Sequence, residues 1–190
     1  MTDAPVPGTV PAENYAALAA ALEALPSQRH RRTAAQMVEA LTELFRIQPD
    51  LVDLKITGAA LLEMGEAFEM FAPYHDAPKV AIFGSARTKD NDPLYQAARD
   101  VAYDLAQAGW MVVTGAGPGI MQAAMEGAGR ERSIGVSIRL PFEQGANPVI
   151  AGDEKYVSMK YFFTRKLMLV KESRGFICLP GGFGTLDETF

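Results

Sequence analysis

From residue 79 onward, short apolar runs alternate with longer amphipathic stretches, and this alternation constrains the fold more than any other feature. Most of the runs are nearly continuous in apolar residues, as is typical of strands buried on both faces of a parallel sheet. Helices are predicted between them, over about 92–109, from about 119, and over about 160–172. The pattern therefore predicts a doubly wound, Rossmann-like α/β fold with a parallel sheet. The predicted strands are KVAIFG (79–84), WMVVTG (110–115), SIGVSIRL (133–140), KYVS (155–158) and GFICLP (175–180).

The chain before this region follows a helical pattern. Residues 1–12 are rich in Pro, Gly and small residues, and are predicted to be a disordered tail. Three helices are predicted after it, over about 13–25, 33–48 and 50–71, with Thr33 as the N-cap of the second. RHRR (29–32) is interpreted as a solvated basic turn before that helix. We therefore predict an N-terminal helical extension over 13–77 and a Rossmann-like domain over 78–190.

The sequence stops about one turn into the helix that GTLDE is expected to open. A sheet that ends there would lack the strand to which this helix leads. We therefore expect the C-terminal part of the domain over 78–190 to be missing from the sequence.

Composition excludes several classes of partner. The net charge of −5 argues against the broad basic face of a nucleic-acid-binding protein. No apolar run approaches the roughly 20 residues that a membrane-spanning helix needs, so neither a nucleic-acid nor a membrane partner is expected. The first residues lack the charged and apolar regions of a secretory signal. With no disulfide available to its single cysteine, the chain is expected to be cytoplasmic.

The cysteine and histidine residues of the sequence do not predict a metal site. Cys178 is the only cysteine, and it is interpreted as a buried strand residue rather than a reactive thiol. The two histidines, His30 and His75, lie outside the glycine-rich motifs described next. We therefore find no cluster with metal-ligand spacing.

Two strand-to-helix loops are rich in glycine, TGAGPGIM (114–121) and PGGFGTLDE (180–188). Ligands of this fold bind outside the carboxyl ends of the strands, and glycine lets backbone N–H groups approach an anion closely. Two such loops in one sheet therefore indicate a phosphorylated ligand. A Walker A loop is absent because no Gly-Lys-Ser/Thr tripeptide occurs.

NAD binding is not favoured either. Gly115, Gly117 and Gly119 form G-x-G-x-G, whereas the third glycine of the dinucleotide fingerprint would fall at Ile120. The next strand also ends without the acidic residue that holds a ribose hydroxyl. On pattern alone, the 114–121 loop is as consistent with a tight turn that serves only packing.

The 180–188 loop is more specific. Thr185 falls at the predicted helix start, where its hydroxyl and backbone N–H would reach a phosphate, and Glu188 follows one turn later. The alternative interpretation is a capping box, which also places Thr and Glu three residues apart. The two interpretations are compatible, because one glutamate can serve the helix and line a pocket.

The same residues resemble the signature of a known family. Residues 180–188 match P-G-G-x-G-T-x-x-E of the LONELY GUY phosphoribohydrolases, which activate cytokinins. Arg165-Lys166 in SMKYFFTRKLML stands where this family carries an Arg-Lys pair. VAIFGSAR and VVTGAGPGIMQAAMEGA are similar to its first strand-loop and second glycine loop. The resemblance covers about 79–190, and the preceding helices look like the extension of the longer, bacterial branch.

This resemblance implies an enzyme that hydrolyses the N-glycosidic bond of a nucleoside 5′-monophosphate to free base and ribose 5-phosphate. The substrate would be a cytokinin riboside monophosphate, AMP or a related nucleotide, and no cofactor or metal would be needed. Arg165 and Glu188 would be the catalytic pair of the domain over 78–190. The other residues implied at the site are Gly181, Gly182, Gly184, Thr185, Lys166, Ser85, Gly115, Gly117, Gly119 and Glu143. The family also implies a homodimer or a higher homo-oligomer.

The implied roles agree with the chemistry. Glu188 would stabilise an oxocarbenium-like sugar and orient or deprotonate water. Arg165 would hold the phosphate or sugar, or assist departure of the base. Taken alone, Arg165 is more typical of a cation on a helix surface, and its pairing with Lys166 and the 180–188 loop reverse that interpretation. The 139–155 loop is longer and more polar than in plant-type proteins, which leaves base specificity open.

A second class of function is a non-catalytic carrier of a nucleotide or cofactor on the same fold. The presence of both Arg165 and Glu188 favours the enzyme, because binding alone does not require that pair. The older label of such sequences as lysine decarboxylases fits poorly, since nothing marks a lysine for pyridoxal phosphate.

Overall fold

The structure is a computed structural model that describes residues 10–139 and 145–190. The chain divides into two compact units, Met1–Leu54 and Lys55–Phe190. Helices α1 (Ala12–Glu23) and α2 (Gln28–Arg46) lie in the first unit, and α3 (Leu51–Phe71) begins in it. No helix within the described ranges is both long enough and apolar enough to cross a membrane. The predicted division into tail, helical extension and Rossmann-like domain stays a prediction.

Helix α2 begins earlier than the sequence predicts. Its N-cap is Ser27, whose side-chain oxygen accepts a hydrogen bond of 3.3 Å from the backbone N–H of His30. Thr33 lies inside the helix, where its hydroxyl donates to the carbonyl of Arg29 at 3.1 Å. The prediction of Thr33 as N-cap is therefore wrong, and RHRR belongs to the first turns of α2. The physical reason is that Ser27 already satisfies a backbone donor that would otherwise be free at the helix start.

The second unit is built on a five-stranded parallel sheet with the strand order β4-β3-β2-β1-β5. The predicted doubly wound α/β fold is confirmed. The strands are β1 (Lys79–Phe83), β2 (Met111–Thr114), β3 (Ser133–Ile138), β4 (Tyr156–Met159) and β5 (Gly175–Cys178). The helices between and after them are α4 (Pro93–Gln107), α5 (Ile120–Ala128), α6 (Phe162–Glu172) and α7 (Phe183–Thr189).

Helices cover both faces of this sheet, which explains why the strands read as continuous apolar runs. Alternate residues of β1 enter opposite cores, because successive side chains of a strand point to opposite faces. Ala81 and Phe83 pack in the core that includes side chains of α3 and α6. Val80 and Ile82 pack in the core formed with α4 and α5. All five residues of β1 are buried.

Cys178 lies in β5 as predicted, but the strand ends at this residue rather than at Pro180, and Cys178 is exposed rather than buried. Among the described residues, β5 pairs only with β1, and its residues alternate between half-buried and exposed. Phe176, on the same face as Cys178, is 48% exposed. The prediction of a buried cysteine is wrong because this face of an edge strand is left open in the described part of the chain.

Small residues let α4 and α5 pack closely. A Cβ atom added to Gly127 of α5 would lie 2.8 Å from the carbonyl carbon of Arg99 in α4. Ala98, Ala102 and Ala106 of α4 are buried. The two helices therefore approach to a distance that only a glycine at position 127 permits.

We predict that Gly127→Ala destabilises the protein by about 1–3 kcal/mol, because the added methyl group would overpack a backbone contact. Gly65→Ala in α3 is the matched control, since apart from the nearby backbone of α3 itself no atom lies within 4 Å of the position that its Cβ would take. That control should gain about 0.5–1 kcal/mol from the lower backbone entropy of alanine. Urea unfolding of both variants measures the difference, and equal effects would contradict the close approach of α4 and α5.

Candidate functional site

The site lies where the strand order reverses. From β1 the chain proceeds outward through β2, β3 and β4, and then returns to place β5 on the other side of β1. The loops after β1 and β5 therefore leave the sheet in opposite directions, and the crevice between them is where ligands of doubly wound sheets bind. The bases of the two loops meet, because the backbone N–H of Ser85 donates to the carbonyl of Pro180 at 3.3 Å.

Ser85 also joins the glycine loop after β2 to this junction. Its carbonyl accepts a 3.0 Å hydrogen bond from the N–H of Ile120. Gly119, just before, has a φ of +66°, and an added Cβ would lie 2.7 Å from the carbonyl carbon of Ala86. Both the left-handed backbone and the lack of space require glycine there. The hydroxyl of Ser85 accepts a bond from the N–H of Arg87 at 3.1 Å, so Ser85 organises three loops mainly through its backbone.

Asn147, which the sequence analysis did not identify, fixes the other end of the same glycine loop. Its backbone N–H donates to the carbonyl of Ala116 at 2.8 Å, and its side-chain amide donates to the carbonyl of Gly117 at 3.1 Å. Ala116 has an unusual positive φ of 59°, and the hydroxyl of Thr114 accepts a bond from its N–H at 3.0 Å. Asn147-Pro148 signals a turn in the sequence, but nothing in it indicates which loop the asparagine contacts.

Arg165 and Glu188 are brought together across the crevice. Arg165, in α6, is 7% exposed, and its Nε donates to the carbonyl of Val136 at 2.9 Å. Its Nη1 donates to Oε1 of Glu188, in α7. The side chains of the pair are 9% and 10% exposed. The interpretation of Arg165 as a helix-surface cation is therefore wrong.

One carboxylate oxygen of Glu188 is left without a partner. Oε2 is buried, and no donor among the described residues reaches it. The capping-box interpretation is wrong, because α7 begins at Phe183, Gly182 is its N-cap, and no side chain caps it. Thr185 lies within the first turn of α7, and the carboxylate of Glu188 accepts a hydrogen bond from Arg165 instead of capping the helix. The site therefore holds a buried acceptor whose second oxygen is fixed by a guanidinium group.

The glycines after β2 make room for these side chains. A Cβ on Gly115 would lie 2.6 Å from Nη2 of Arg165, and a Cβ on Gly117 would lie 2.7 Å from Cε of Met121. Gly115 therefore admits the guanidinium group, and the structure brings the loop after β2 beside the Arg165–Glu188 pair. Met121 is a neighbour that the sequence analysis did not assign to the site.

The remaining predicted residues lie around the loop after β5. Nζ of Lys166 donates to the backbone carbonyl of Asp187. Gly181 lies against the Thr185 side chain. Around Gly182 and Gly184, nothing lies within 4 Å of the position of an added Cβ. Glu143 lies outside the described residues.

The described parts of the chain contain no group of three or more His, Cys, Asp or Glu side chains that would hold a metal ion. The groups that the described crevice presents are a fixed carboxylate, two cationic side chains and glycine-rich backbone. Such groups bind an anion and act on an electron-poor centre beside it.

Comparison with known proteins identifies the family of this chain. The sequence profile of the SLOG cluster4 family, LDcluster4, matches residues 77–190. The chain belongs to the SLOG cluster4 family. The resemblance to LONELY GUY proteins is thereby confirmed at the level of family. No protein with curated annotation matches the chain.

Several solved structures are similar to this SLOG protein. One is the X-ray structure of TM1055, a structural genomics target, with 26% identity and a TM-score of 0.45 over 59% of this chain. The match covers 66% of TM1055, just under two thirds of its length. Another is the molybdenum cofactor carrier protein MCP from Chlamydomonas reinhardtii, with 21% identity and a TM-score of 0.46. That match covers 59% of this chain and 68% of MCP.

Because the Arg165–Glu188 pair is buried, we predict that removing the charge of Arg165 destabilises the protein more than removing the charge of the adjacent Lys166. Arg165→Met leaves a buried carboxylate unpaired and should cost about 3–5 kcal/mol of unfolding free energy. Lys166→Met is the control, because the Lys166 and Asp187 side chains are 35% and 62% exposed, and its loss should be below about 1 kcal/mol. Denaturant unfolding measures both, and similar losses would contradict the burial of the pair.

Proposed function

We propose that this SLOG protein is a cytoplasmic phosphoribohydrolase, which cleaves the N-glycosidic bond of a nucleoside 5′-monophosphate. The products are the free base and ribose 5-phosphate. The observation that carries the proposal is the buried Arg165–Glu188 pair at the reversal of strand order, with Oε2 of Glu188 unpartnered. The LONELY GUY signatures, in which both residues lie, support the assignment.

The 5′-phosphate binds to the loop after β5. Gly182 and Gly184 leave open space around the backbone there, so backbone N–H groups are accessible to phosphate oxygens. Gly181 and Thr185 complete the loop, with the Thr185 hydroxyl as a further donor. Lys166, whose Nζ lies beside the same segment, supplies a positive charge. Ser85, Gly115, Gly117 and Gly119 form the opposite wall.

The carboxylate of Glu188 acts on the sugar. As the bond between C1′ and the base nitrogen breaks, its electron pair leaves with the base and positive charge develops on the sugar. Oε2 of Glu188 stabilises that charge, accepts a proton from the attacking water, and so directs the water oxygen to C1′. The departing nitrogen takes up a proton from solvent, and Glu188 later returns to solvent the proton that it accepted, so that the net reaction adds one water across the broken bond. Arg165 holds Oε1, which prevents the carboxylate from rotating away.

The substrate is proposed to be a cytokinin riboside monophosphate or an AMP-like nucleotide. These share the 5′-phosphate and ribose, which the described crevice is suited to hold. Discrimination between bases is assigned to the polar 139–155 loop, with Glu143 as the acidic contact. No cofactor or metal takes part in the proposed reaction.

We predict that the protein releases free base from a panel of nucleoside 5′-monophosphates that includes AMP and isopentenyladenosine monophosphate. Glu188→Gln keeps the side-chain shape but removes the carboxylate, and should lower kcat by about 100- to 1,000-fold. Glu131→Gln is the control, since this exposed glutamate lies just before β3, at the other end of the strand from the site. Chromatographic separation of base from nucleotide measures the rate.

Two results would overturn the proposal. Equal rates for wild type and Glu188→Gln would remove the carboxylate from the mechanism. Nucleotide binding by calorimetry with no base release from any nucleotide would instead identify a carrier.

We also propose that the protein forms a homodimer or a higher homo-oligomer through α6. Phe162, Phe163, Leu167 and Val170 of this helix are each 48–57% exposed. Exposed apolar side chains grouped on one short element are typical of an interface, and Arg165 and Lys166 lie on the same helix. The interface would thus adjoin the site.

Leu167→Arg should convert the assembled protein to monomer, because a charge in an apolar interface is costly to desolvate. Tyr103→Arg on α4, also at a 54% exposed position, should leave the assembly intact. Sedimentation velocity distinguishes the species. A wild-type monomer at micromolar concentration, or dissociation by both variants, would contradict an interface on α6.

A further inference from the structure

Glu63 of α3 is a buried carboxylate outside the two glycine-rich loops of the candidate site. Glu63 is 4% exposed, and its carboxylate accepts three hydrogen bonds from residues at the start of α6. Oε2 accepts a 2.6 Å hydrogen bond from the backbone N–H of Lys160, and Oε1 accepts one of 3.3 Å from the N–H of Tyr161. The hydroxyl of Thr164 donates to the same Oε1. Thr164 immediately precedes Arg165 in the sequence.

Glu63 supplies the cap that α6 lacks locally. Tyr161 is the N-cap residue of α6, and its side chain makes no capping hydrogen bond. The backbone N–H groups at a helix start have no partner within the helix, and a negative charge there is favourable. A carboxylate from α3, distant in sequence, places a negative charge there and accepts hydrogen bonds from the N–H of the N-cap residue Tyr161 and of Lys160 before it. Hydrogen bonds to an ionised acceptor are also stronger than neutral ones.

The support for Glu63 is rigid. Ala67, one turn further along α3, is fully buried, and Phe71 is 2% exposed. Both pack in the same core as Val136 and Met168. The position of α6 relative to the sheet is therefore set both by its apolar face and by a polar clamp at its first turn.

Arg165 directly follows Thr164, the residue of α6 that this clamp holds. Thr164 contacts Glu63 directly, and the next residue bonds the carbonyl of Val136 and the carboxylate of Glu188. A rotation or shift at the start of α6 would move Nε of Arg165 away from Val136. The carboxylate orientation that the mechanism requires would then be lost.

We propose that Glu63 is a positioning residue for the Arg165–Glu188 pair. Helix α3, which lies outside the residues 77–190 matched by the family profile, is therefore part of the catalytic apparatus of this chain. The inference rests on the proposed hydrolysis, but the position of Arg165 is measurable without turnover.

The first test is the kinetics of Glu63→Gln. Glutamine retains one acceptor but turns an NH₂ group towards a backbone donor, so the clamp is broken while the size is kept. We expect kcat per folded molecule to fall roughly 10- to 100-fold. The dissociation constant for AMP should rise by a smaller factor than kcat falls, because most of the proposed phosphate contacts come from the loop after β5 and only that of Lys166 comes from α6. Glu69→Gln, exposed on the same helix, should match wild type.

Thr164 provides a second variant that keeps the test decisive if Glu63→Gln folds poorly. Thr164→Ser retains the hydroxyl and should keep kcat within about threefold of wild type, whereas Thr164→Val removes the donor and should lower kcat like Glu63→Gln. Activities are compared at a temperature where unfolding curves show every variant to be folded. A Thr164→Ser variant as impaired as Thr164→Val would contradict the clamp.

The second test observes Arg165 itself. In wild type, the Nε–H of Arg165 is held by the carbonyl of Val136, so its NMR signal should be protected from exchange with water. Glu63→Gln should accelerate that exchange at least tenfold, whether or not the protein turns over nucleotide. Base release absent from wild type would reject the proposed function alone. If Glu63→Gln lowers the stability but leaves the exchange rate of the Arg165 Nε–H unchanged, Glu63 is only a structural cap. Where wild type is active, an unchanged kcat of Glu63→Gln would accompany that result.

Discussion

Strand β1 is paired on both sides, with β2 and with β5, and the location of the site depends on this double pairing. Parallel strands place all their carboxyl ends at one edge of the sheet, and the reversal of strand order beside β1 separates the loops that leave that edge. The separation creates a crevice without removing any core residue. Ser85, the second residue after β1, then ties the loops from three strands together through backbone hydrogen bonds. The position of the crevice is therefore a property of the topology, whereas its chemistry is a property of the side chains.

The polar groups of the crevice are held from several directions. A buried guanidinium is favourable only where its hydrogen bonds are satisfied, and Arg165 meets this condition with a carbonyl of β3 and a carboxylate of α7. Glu63 repeats the arrangement at the start of α6, again with donors from another element. Because each charge bonds groups distant in sequence, none can move without disturbing a neighbouring element. Preorganisation of this kind is what a site needs in order to stabilise developing charge.

The sequence predicts those features that repeat or that form short motifs. Strands buried on both faces, helices between them and two glycine loops were all recognisable, and the family signatures pointed to Arg165 and Glu188. Several of the wrong or missing predictions concern contacts between residues that are far apart in the sequence, which a local pattern does not contain. Cys178 lies in an apolar run like the buried strands, and only the strand order reveals that its face is open. Asn147 and Glu63 are ordinary polar residues by sequence, and their roles arise from partners far along the chain.

The pairing of β1 with β5 also governs how the molecule folds. Val80 pairs with Gly175, so the chain must close a long loop before the two strands can meet, and contacts of such separation form slowly. During synthesis, β1 leaves the ribosome before β5, and the edge of β1 that pairs with β5 stays unpaired until β5 follows. Strands β1 to β3 and their helices are available much sooner. Competence to bind a ligand between the loops after β1 and β5 consequently develops later than the packing of β1 to β3.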